Sequence, residues 1–216
     1  MSVPLQTEIK LKTDNMISVI VNLHNNESSI ISALQSIVAQ TAQKWEAVVI
    51  DNASSDGSEH QVRSYLIDRR MRYVRLEEEV SIQEARRKGL ELTTGEWVMY
   101  LNGTDYLEPN ALESLYLTAK KYGTLIAAGN FFTENGEKHQ DNFLEDGKYK
   151  GKDAAEGKFG VVTGSAIFAR QVAHLPESWR DLDYGFTHRP VVIHKIGTQP
   201  LVPVVKRKPF WKRIFS

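Results

Sequence analysis

The feature that most constrains the fold is a repeated pattern in the first half of the chain. A short apolar run is followed by a polar segment, and the polar segment is followed by a helical stretch. The apolar runs are continuous rather than alternating, which indicates strands that are buried on both faces of a sheet. Strand, helix and strand in succession predict an α/β fold, a mostly parallel central sheet with helices on both faces. The predicted strands of this half are 17–21, 46–50, 71–76 and 96–101, and the predicted helices are 28–42, 59–69 and 82–92.

The second half of the chain is less regular. Its predicted elements are a helix over 110–122, a strand over 124–132, a loop or hairpin over 133–158, a strand over 161–169, a short helix over 171–175 and a last strand over 201–206. A chain of 216 residues can bury one sizeable core without a second domain. We therefore predict a single domain over 17–205, preceded by a polar lead (1–16) and followed by a basic, aromatic tail (206–216).

Three polar segments, 22–27, 51–58 and 102–105, directly follow predicted strands. In a parallel sheet, the ligand crevice lies outside the carboxyl ends of the strands, so these segments are expected to converge on one site. A carboxylate in 51–58 can accept hydrogen bonds from a base or a ribose. Gly103 permits close backbone approach, and Asp105 can hold a divalent cation against phosphates. Taken alone, 51–58 is equally typical of a plain turn, and 102–105 is more often a plain turn than a metal site.

Composition excludes several classes of function. The 27 Lys and Arg balance the 27 Asp and Glu, so the chain has no net field that attracts nucleic acid. The absence of cysteine excludes disulfides, thiolate nucleophiles and cysteine-held zinc. No run of 18 apolar residues and no apolar N-terminal signal segment occurs, so we expect a cytoplasmic location.

The tail from Lys206 to Ser216, KRKPFWKRIFS, combines five cations with three aromatics. Such a segment suits the anionic surface of a membrane, with aromatic rings at the level of the headgroups. It suits equally a terminal segment that packs its aromatics on the domain and turns its cations to water. The first interpretation predicts peripheral attachment to the inner face of the membrane.

Five blocks occur in a characteristic order: ISVIVNLHNNE (17–27), SIVAQT (36–41), VIDNASSDGS (49–58), EARRKG (84–89) and GEWVMYLNGTD (95–105). Together they resemble the donor-binding half of family 2 glycosyltransferases, which have the GT-A fold. Two later blocks, GSAIFAR (164–170) and LDYGFTHR (182–189), resemble the acceptor side of that family more loosely. The resemblance implies a nucleotide-sugar-binding half over 17–110 and an acceptor-side half over 111–205.

The resemblance also implies roles for individual residues. Asp105 would coordinate Mg²⁺ or Mn²⁺ across the diphosphate of the donor, and Asp183 would be the base that deprotonates the acceptor hydroxyl. Acceptor-side residues would be Gly164, Trp179 and Arg189, with Trp179 as a platform for a sugar ring. The implied donor-binding residues are Asn22, His24, Asn25, Glu27, Asp51, Asn52, Arg86, Asn102, Gly103 and Thr104.

The implied reaction is transfer of a sugar, with inversion, from a nucleotide-sugar to a glycan or lipid-linked acceptor. A UDP-sugar is the expected donor, and the expected setting is the assembly of bacterial surface polysaccharide. A nucleotidyltransferase would also place a carboxylate at a metal-bound nucleotide, but the chain lacks an early glycine-rich, basic phosphate loop.

The chain departs from the family pattern at several positions of the implied site. Asn102 and Thr104 stand where the family usually has carboxylates, and Leu182 stands where it usually has Glu. Asn22 and His24 replace the usual Pro and Tyr. These departures predict weakened metal binding. They also keep open an alternative, a non-catalytic subunit on the same fold that binds a nucleotide-sugar or serves as a scaffold.

Overall fold

The computed structural model describes residues 16–134, 138–140, 144–156, 159, 161, 163–174 and 176–195. The strands in these ranges are β1 (Ile17–Leu23), β2 (Trp45–Asp51), β3 (Met71–Arg75), β4 (Trp97–Asn102), β5 (Tyr106–Leu107), β6 (Ile126–Glu134), β7 (Lys138–Gln140), β8 (Gly147–Lys150), β9 (Ala166–Ala169) and β10 (Asp183–Lys195). The helices are α1 (Ile30–Val38), α2 (Ser58–Arg63), α3 (Ile82–Glu91), α4 (Ala111–Tyr122), α5 (Gly151–Ala155) and α6 (Arg170–Ala173), with 3₁₀ turns at Ser64–Ile67 and Pro176–Asp181.

The strands form one sheet whose main path runs β3-β2-β1-β4-β9-β6-β10-β5, with β7 beside β6 and β8 beside β10. The first four strands of this path are parallel to one another. Strand β9 is antiparallel to both β4 and β6, and β10 is parallel to β6. Strands β6 and β10 therefore run in the direction of β1. The predicted α/β class with a mostly parallel sheet is confirmed, and the carboxyl ends of β1, β2 and β4 lie at one edge.

Helices cover both faces of this sheet. Trp97 and Tyr100 of β4 point to opposite faces, because side chains alternate along a strand. Trp97 packs edge-on against Tyr116 of α4, with ring centroids 6.3 Å apart. On the other face, the guanidinium of Arg86 in α3 lies 5.4 Å from the centroid of the Tyr100 ring. Helices α4 and α3 thus enclose the sheet from both sides, which explains why its strands are continuous apolar runs.

Helix α3 approaches the sheet unusually closely at Gly89. A Cβ atom at this position would lie 2.3 Å from Ile20 Cγ2 and 3.3 Å from Ile50 Cγ1, so a glycine is needed for this packing. The helix connects the carboxyl end of β3 to the amino end of β4. Its first turns therefore lie toward the carboxyl edge of the sheet, and Arg86 is held close to that edge.

The amino edge of the sheet is fastened by the Glu46 carboxylate. Its Oε1 accepts hydrogen bonds from Ser18 Oγ (2.9 Å) and from the backbone N–H groups of Thr94 and Gly95, while Oε2 accepts one from Arg72 (2.8 Å). Burial raises the pKa of this carboxyl, but these hydrogen bonds outweigh burial and hold the pKa below its ordinary value. Glu46 thus ties β2 to β1 and to the turn that enters β4.

Arg170 completes the same edge from the second half of the chain. Its guanidinium donates to the carbonyl oxygens of Gly95 (2.6 Å) and Leu90 (3.0 Å) and to the hydroxyls of Ser18 and Thr93 (3.1 Å each). Four hydrogen bonds satisfy a side chain that is partly withdrawn from water, since burial lowers the pKa of Arg170. The arginine therefore fixes the end of α3 against the start of β4.

Several predicted elements differ from the observed ones in length. The helix predicted over 28–42 is observed as Ile30–Val38, and the one predicted over 59–69 is observed as Ser58–Arg63 followed by a 3₁₀ turn. The strand predicted over 161–169 is confined to Ala166–Ala169. The excursion predicted over 133–158 contains the short elements β7, β8 and α5. Tertiary contacts rather than local periodicity set these boundaries.

Strand β10 is the longest element that the sequence pattern did not predict. It has 13 residues and pairs with β6, β8 and β5. Its register with β6 shifts around Pro190, where the strand bulges. The bulge and Gly185 interrupt the apolar pattern, so the segment does not show the period of a strand.

Some predictions fall outside the residues that the structure describes. These are the polar lead except for Met16, the last strand over 201–206 and the tail over 206–216. Among the described residues, none of the helices combines the length and the apolar character needed to cross a membrane.

Replacing Glu46 by Gln tests the amino-edge network. We expect Glu46→Gln to lower the free energy of unfolding at neutral pH by about 1–3 kcal/mol, because the variant loses charge-assisted hydrogen bonds. The folded-state pKa of Glu46 is depressed, so its contribution is present above the unfolded-state pKa and is lost as the pH falls through the folded-state value. Urea unfolding curves of variant and wild type should therefore converge in acid.

The control for this prediction is Glu91→Gln. The Glu91 side chain is 60% exposed and pairs with Arg87 on the surface of α3. We expect a change below about 0.5 kcal/mol at any pH. Equal losses in the two variants, or a Glu46→Gln loss that persists in acid, would contradict the assigned role.

Candidate functional site

The carboxyl ends of β1, β2 and β4 lie side by side, as the sequence pattern predicted. Asn22 of β1 stands opposite Ile50 of β2 on one side and Asn102 of β4 on the other. The ladder continues one step beyond the strands. The N–H of Gly103 donates to Asn22 O (2.8 Å), and the N–H of Asn52 donates to Leu23 O (2.8 Å). The three polar segments therefore leave the sheet together and form one surface.

The loops after β1 and β2 are joined by reciprocal hydrogen bonds. Backbone N–H groups of the first loop donate to side-chain oxygens of the second, in the pairs Asn25 to Ser54 Oγ (3.0 Å), Asn26 to Ser58 Oγ (2.9 Å) and Glu27 to Asp56 Oδ2 (3.0 Å). Backbone N–H groups of the second loop donate in return, in the pairs Ser55 to Asn25 Oδ1 (2.8 Å) and Gly57 to Glu27 Oε2 (3.1 Å). The two loops thus form one hydrogen-bonded unit, in which the side chains of Asn25 and Glu27 connect the first loop to the second.

Asp51 holds the loop after β2 in place through hydrogen bonds to its carboxylate. Its carboxylate is fully buried and accepts hydrogen bonds from Ser54 N (2.8 Å) at Oδ1 and from Tyr73 and Arg75 (3.2 Å) at Oδ2. Arg75 also donates to Ser54 O (2.6 Å). Asn52 forms two hydrogen bonds with the backbone of Val80, at 2.8 and 2.9 Å. Both residues lie at the predicted edge, and there they hold neighbouring loops in place.

His24 lies between the loops after β1 and β2. Its Nδ1 is 2.7 Å from Asn52 O, a carbonyl that can only accept, so Nδ1 carries the proton. Nε2 is then left to accept from the Asn25 side-chain amide, 3.2 Å away. The orientation of the ring is thus fixed, and His24 keeps a partly exposed side at the site.

Two residues of these loops have left-handed backbone conformations. Asn25 has φ of 50° and Ala53 has φ of 57°. Asn tolerates this region, and here Asn25 gains the hydrogen bond from Ser55 N. Ala53 has no such compensation from its methyl group, so its conformation is strained. Strain of this kind concentrates at functional sites.

The segment after β4 forms a compact turn around Asp105. Asn102 Nδ2 donates to Asp105 Oδ2 (3.1 Å), and Thr104 Oγ1 donates to Asp105 Oδ1 (3.1 Å). Asp105 is fully buried. The carbonyl of Gly103 accepts from Ser29 Oγ (3.2 Å) at the start of α1, and a Cβ at Gly103 would lie 2.9 Å from Asn26 Oδ1. The turn is therefore pressed against the loop after β1.

Arg86 lies beneath these loops on the face of the sheet that α3 covers. Its Nη2 donates to Thr163 Oγ1 (3.3 Å), and its guanidinium lies over the Tyr100 ring. Burial lowers the pKa of Arg86 to about 10. Its Nε is buried without a hydrogen-bond partner, and so is Oδ1 of Asn22. Two unsatisfied polar atoms at one sheet edge are uncommon and point to a ligand or solvent site.

The structure separates Asp183 from this cluster, which corrects the role that the sequence implied. Asp183 is the first residue of β10 and stands opposite Lys150, to which it is bonded at 2.9 Å, with Lys148 at 3.4 Å. Because β10 runs parallel to β1, its first residue lies at the amino edge, and the candidate site lies at the carboxyl edge. The two lysines hold the pKa of Asp183 below its ordinary value despite burial, which would raise it. A paired carboxylate at the opposite edge does not fit the role of acceptor base.

One acceptor-side prediction is also corrected. Trp179 is buried, stacks on Phe168 with centroids 4.1 Å apart and donates from Nε1 to Val172 O (2.7 Å). It is a core residue and not an open platform for a sugar. Gly164 is buried at φ 83°, and a Cβ there would lie 2.8 Å from the Leu101 and Val192 side chains, so a glycine is needed here; its acceptor role stays a prediction. Arg189 is exposed at the bulge of β10, and its acceptor role stays a prediction.

Comparison with known proteins identifies the family. Residues 18–174 match the model of glycosyl transferase family 2. The chain belongs to this family. The solved structure of TarS 1–349 from S. aureus superposes with a TM-score of 0.71 at 15% identity, covering 83% of this chain and 60% of that one. At this identity TarS supports the GT-A fold alone.

Curated relatives match the chain over part of their length. Glycosyltransferase GlyA of Streptococcus pneumoniae is 32% identical over 123 residues, which is 56% of this chain and 18% of GlyA. The Escherichia coli protein WfgD, a UDP-Glc:alpha-D-GlcNAc-diphosphoundecaprenol beta-1,3-glucosyltransferase, is 27% identical over 118 residues, which is 55% of this chain and 46% of WfgD. The chain thus spans less than half the length of either relative.

Family 2 glycosyltransferases generally use a divalent metal, and hard cations such as Mg²⁺ and Mn²⁺ prefer carboxylate oxygens. Asp105 is the single carboxylate of the segment 102–105, and both its oxygens already accept hydrogen bonds. Across the described part of the chain, no three His, Asp or Glu side chains come together in a way that could hold a metal ion. The donor set at this position therefore does not fit the Mg²⁺ or Mn²⁺ that the resemblance implied.

Three residues at the site escaped prediction from sequence. Tyr73 and Arg75 of β3 hold Asp51, and Thr163 contacts Arg86. The position of Arg75 could have been inferred, because it is the penultimate residue of the predicted strand 71–76 and stands opposite Asp51 in the parallel register. The contact of Thr163 with Arg86 could not have been inferred from the sequence, because the two residues are 77 positions apart.

The strained backbone at Ala53 gives a testable prediction. We expect Ala53→Gly to raise the free energy of unfolding by about 0.5–1 kcal/mol, because relief of left-handed strain outweighs the extra entropy of glycine in the unfolded chain. Thermal or urea unfolding measures the change. Asn25→Gly is the matched control, since it removes a side chain at a similar φ but also the acceptor of the Ser55 hydrogen bond. This variant should be no more stable than wild type, and a gain there, or a loss in Ala53→Gly, would refute the assignment of strain.

Proposed function

We propose that this chain transfers a sugar from a nucleotide-sugar donor to a hydroxyl of a glycan or lipid-linked acceptor, in the assembly of a bacterial surface polysaccharide. The observation that carries the proposal is the convergence of three polar loops at the carboxyl edge of the sheet in a chain that belongs to family 2. Ligand crevices of parallel sheets lie at this edge.

The proposed donor is held by the unit that the loops after β1 and β2 form. In this proposal the nucleoside lies against His24 and Asn25, where polar atoms remain partly exposed, and the diphosphate lies toward the turn around Asp105. The acceptor hydroxyl attacks the anomeric carbon from the face opposite the leaving group and releases its proton to solvent. The bond from that carbon to the diphosphate breaks as the new glycosidic bond forms, so one displacement inverts the configuration. Asp183 has no part in the proposed reaction, because it lies at the other edge.

The names of related proteins support a nucleotide-sugar donor and a lipid-linked acceptor. Solved structures of TarS contain UDP-GlcNAc in one case and UDP in another. The name of WfgD specifies a UDP-sugar donor and a diphosphoundecaprenol-linked acceptor. We therefore propose a UDP-sugar as donor and a lipid-linked glycan as a candidate acceptor, and in this proposal the reaction takes place at the inner face of the membrane.

A second candidate function is a non-catalytic subunit that binds a nucleotide-sugar. The position of Asp183 favours it, because the carboxylate that the resemblance implied as base is paired with Lys148 and Lys150 at the edge remote from the site. The replacement of two family carboxylates by Asn102 and Thr104 points the same way. This candidate predicts donor binding without release of the nucleotide.

The deciding experiment measures nucleotide release from a panel of UDP-, GDP- and TDP-sugars, with and without lipid-linked acceptors, alongside calorimetric titration of the same nucleotides. Binding together with acceptor-dependent release supports a transferase. Binding without release under any condition supports the binding subunit. Absence of binding for every nucleotide would reject both.

Asp105→Asn tests whether the turn after β4 belongs to the donor site. The variant weakens the two hydrogen bonds by which Asp105 holds Asn102 and Thr104, and we expect the displacement of this turn to lower nucleotide affinity by about ten-fold. Asp181→Asn is the control, because the Asp181 side chain is 67% exposed. An unchanged affinity in Asp105→Asn, with folding intact by circular dichroism, would remove this turn from the site.

A further inference from the structure

The face of the sheet under α3 carries a cation whose charge no described acid balances. Among the ion pairs of the described residues none includes Arg86, whereas its neighbour Arg87 pairs with Glu84 and Glu91. The contacts of Arg86 are a hydroxyl, Thr163 Oγ1, and the ring of Tyr100. Burying a cation without a carboxylate is costly, so a second source of negative charge is expected at this place.

Two asparagines share this face with Arg86. Ile20 points toward α3, since its Cγ2 atom is what a Cβ at Gly89 would meet. Asn22 lies two residues further along β1, and Asn102 stands opposite it on β4, so both point to the same face. Asn22 Oδ1 and Arg86 Nε are buried and have no hydrogen-bond partner. Arg86 nevertheless keeps a partly exposed surface, so an anion can reach it without opening the core.

The turn that would hold a metal ion contrasts with this face. Both oxygens of Asp105 accept hydrogen bonds, and one of the donors is the Asn102 amide, which also lies on the Arg86 face. The turn therefore offers a divalent cation one carboxylate, and each oxygen of that carboxylate is already engaged by a hydrogen bond. Neutral side chains at 102 and 104 also leave the positive charge of Arg86 unneutralised.

We propose that in this chain Arg86 supplies the positive charge at the donor's diphosphate, so that a nucleoside diphosphate binds without a divalent cation. The proposal rests on the proposed function and deepens it. A guanidinium offers several N–H donors in a fixed fork, which suits phosphate oxygens. Asn22 adds an acceptor for a sugar or ribose hydroxyl beside it. The charge stays in place throughout, whereas a metal must be captured from solution.

The test is calorimetric titration of UDP, GDP, TDP and inorganic pyrophosphate, in EDTA and again in Mn²⁺. We expect the nucleotide that binds to do so in EDTA, with an affinity within about three-fold of that in Mn²⁺. Arg86→Gln should weaken that affinity in EDTA by about ten-fold or more, because charge-assisted hydrogen bonds are lost. Arg86→Lys keeps the charge and loses the forked N–H donors, so its nucleotide affinity should lie between those of wild type and Arg86→Gln.

Three controls separate charge from structure. Arg87→Gln, one residue along α3, removes an exposed cation that pairs with Glu84 and Glu91 and should leave affinity within about two-fold. The matching nucleoside, which lacks phosphates, should bind wild type and Arg86→Gln equally. The double variant Asn102→Asp with Thr104→Asp supplies carboxylates to the turn and should bind the nucleotide more tightly in Mn²⁺ than in EDTA.

The outcomes distinguish this inference from the proposed function. Binding that occurs in Mn²⁺ and disappears in EDTA, or an Arg86→Gln affinity equal to wild type, overturns the role of Arg86 and leaves the donor site standing. Failure of every nucleotide to bind in either buffer overturns the proposed function as well. If Arg86→Gln does not fold, by its thermal unfolding curve, the EDTA comparison on wild type and the Asn102→Asp, Thr104→Asp variant still decide the question.

Discussion

The candidate site depends on the parallel pairing of β1 with β2 on one side and β4 on the other. This register places Asn22 level with Ile50 and Asn102 and so brings three loops to one surface. A slip of one residue would turn Asn22 away from α3 and onto the other face, because side chains alternate along a strand. The register is held at the far end of the same strands, where Glu46 bonds Ser18 and the N–H of Gly95. The chemistry at one edge is therefore set by hydrogen bonds at the other.

The two edges of the sheet differ in how completely their polar groups are satisfied. At the amino edge, Glu46 and Arg170 each make four or more hydrogen bonds and close the structure. At the carboxyl edge, Asn22 Oδ1 and the Nε of the charged Arg86 remain unpaired, whereas the unpaired atom at the amino edge is the uncharged indole Nε1 of Trp45. Fully paired networks rigidify a fold, whereas buried unpaired atoms cost stability and are retained where something else uses them. The unpaired charged group is thus at the carboxyl edge, and this favours the carboxyl edge as the one that binds a ligand.

The donor half of the fold could be predicted from sequence because its signals are local. Continuous apolar runs mark β1, β2 and β4, and polar turn residues mark their ends, so the convergence of the loops followed from topology alone.

The acceptor half could not be predicted in the same way. Strand β10 owes its existence to pairing with β6 across 58 residues of sequence, and its bulge and Gly185 hide the strand period. Asp183 was therefore assigned to a site from which the strand direction separates it. Trp179 shows the same limit, since only its stacking on Phe168 reveals that it is buried.

Close packing and charge are coupled through helix α3. Gly89 lets the helix approach β1 so closely that Arg86, one turn earlier, is drawn under the loops and loses much of its hydration, which lowers its pKa to about 10. The contact between the Tyr100 ring and the guanidinium offsets part of the lost hydration, since a desolvated cation–π pair contributes about 1–2 kcal/mol. A carboxylate at position 102 would lie on this same face and would neutralise the arginine internally. Asn102 does not, so the charge remains available to a bound anion. The departures of this chain from its family thus form a coherent set: with Asn102 and Thr104 neutral, the buried arginine is the permanent positive charge of the site.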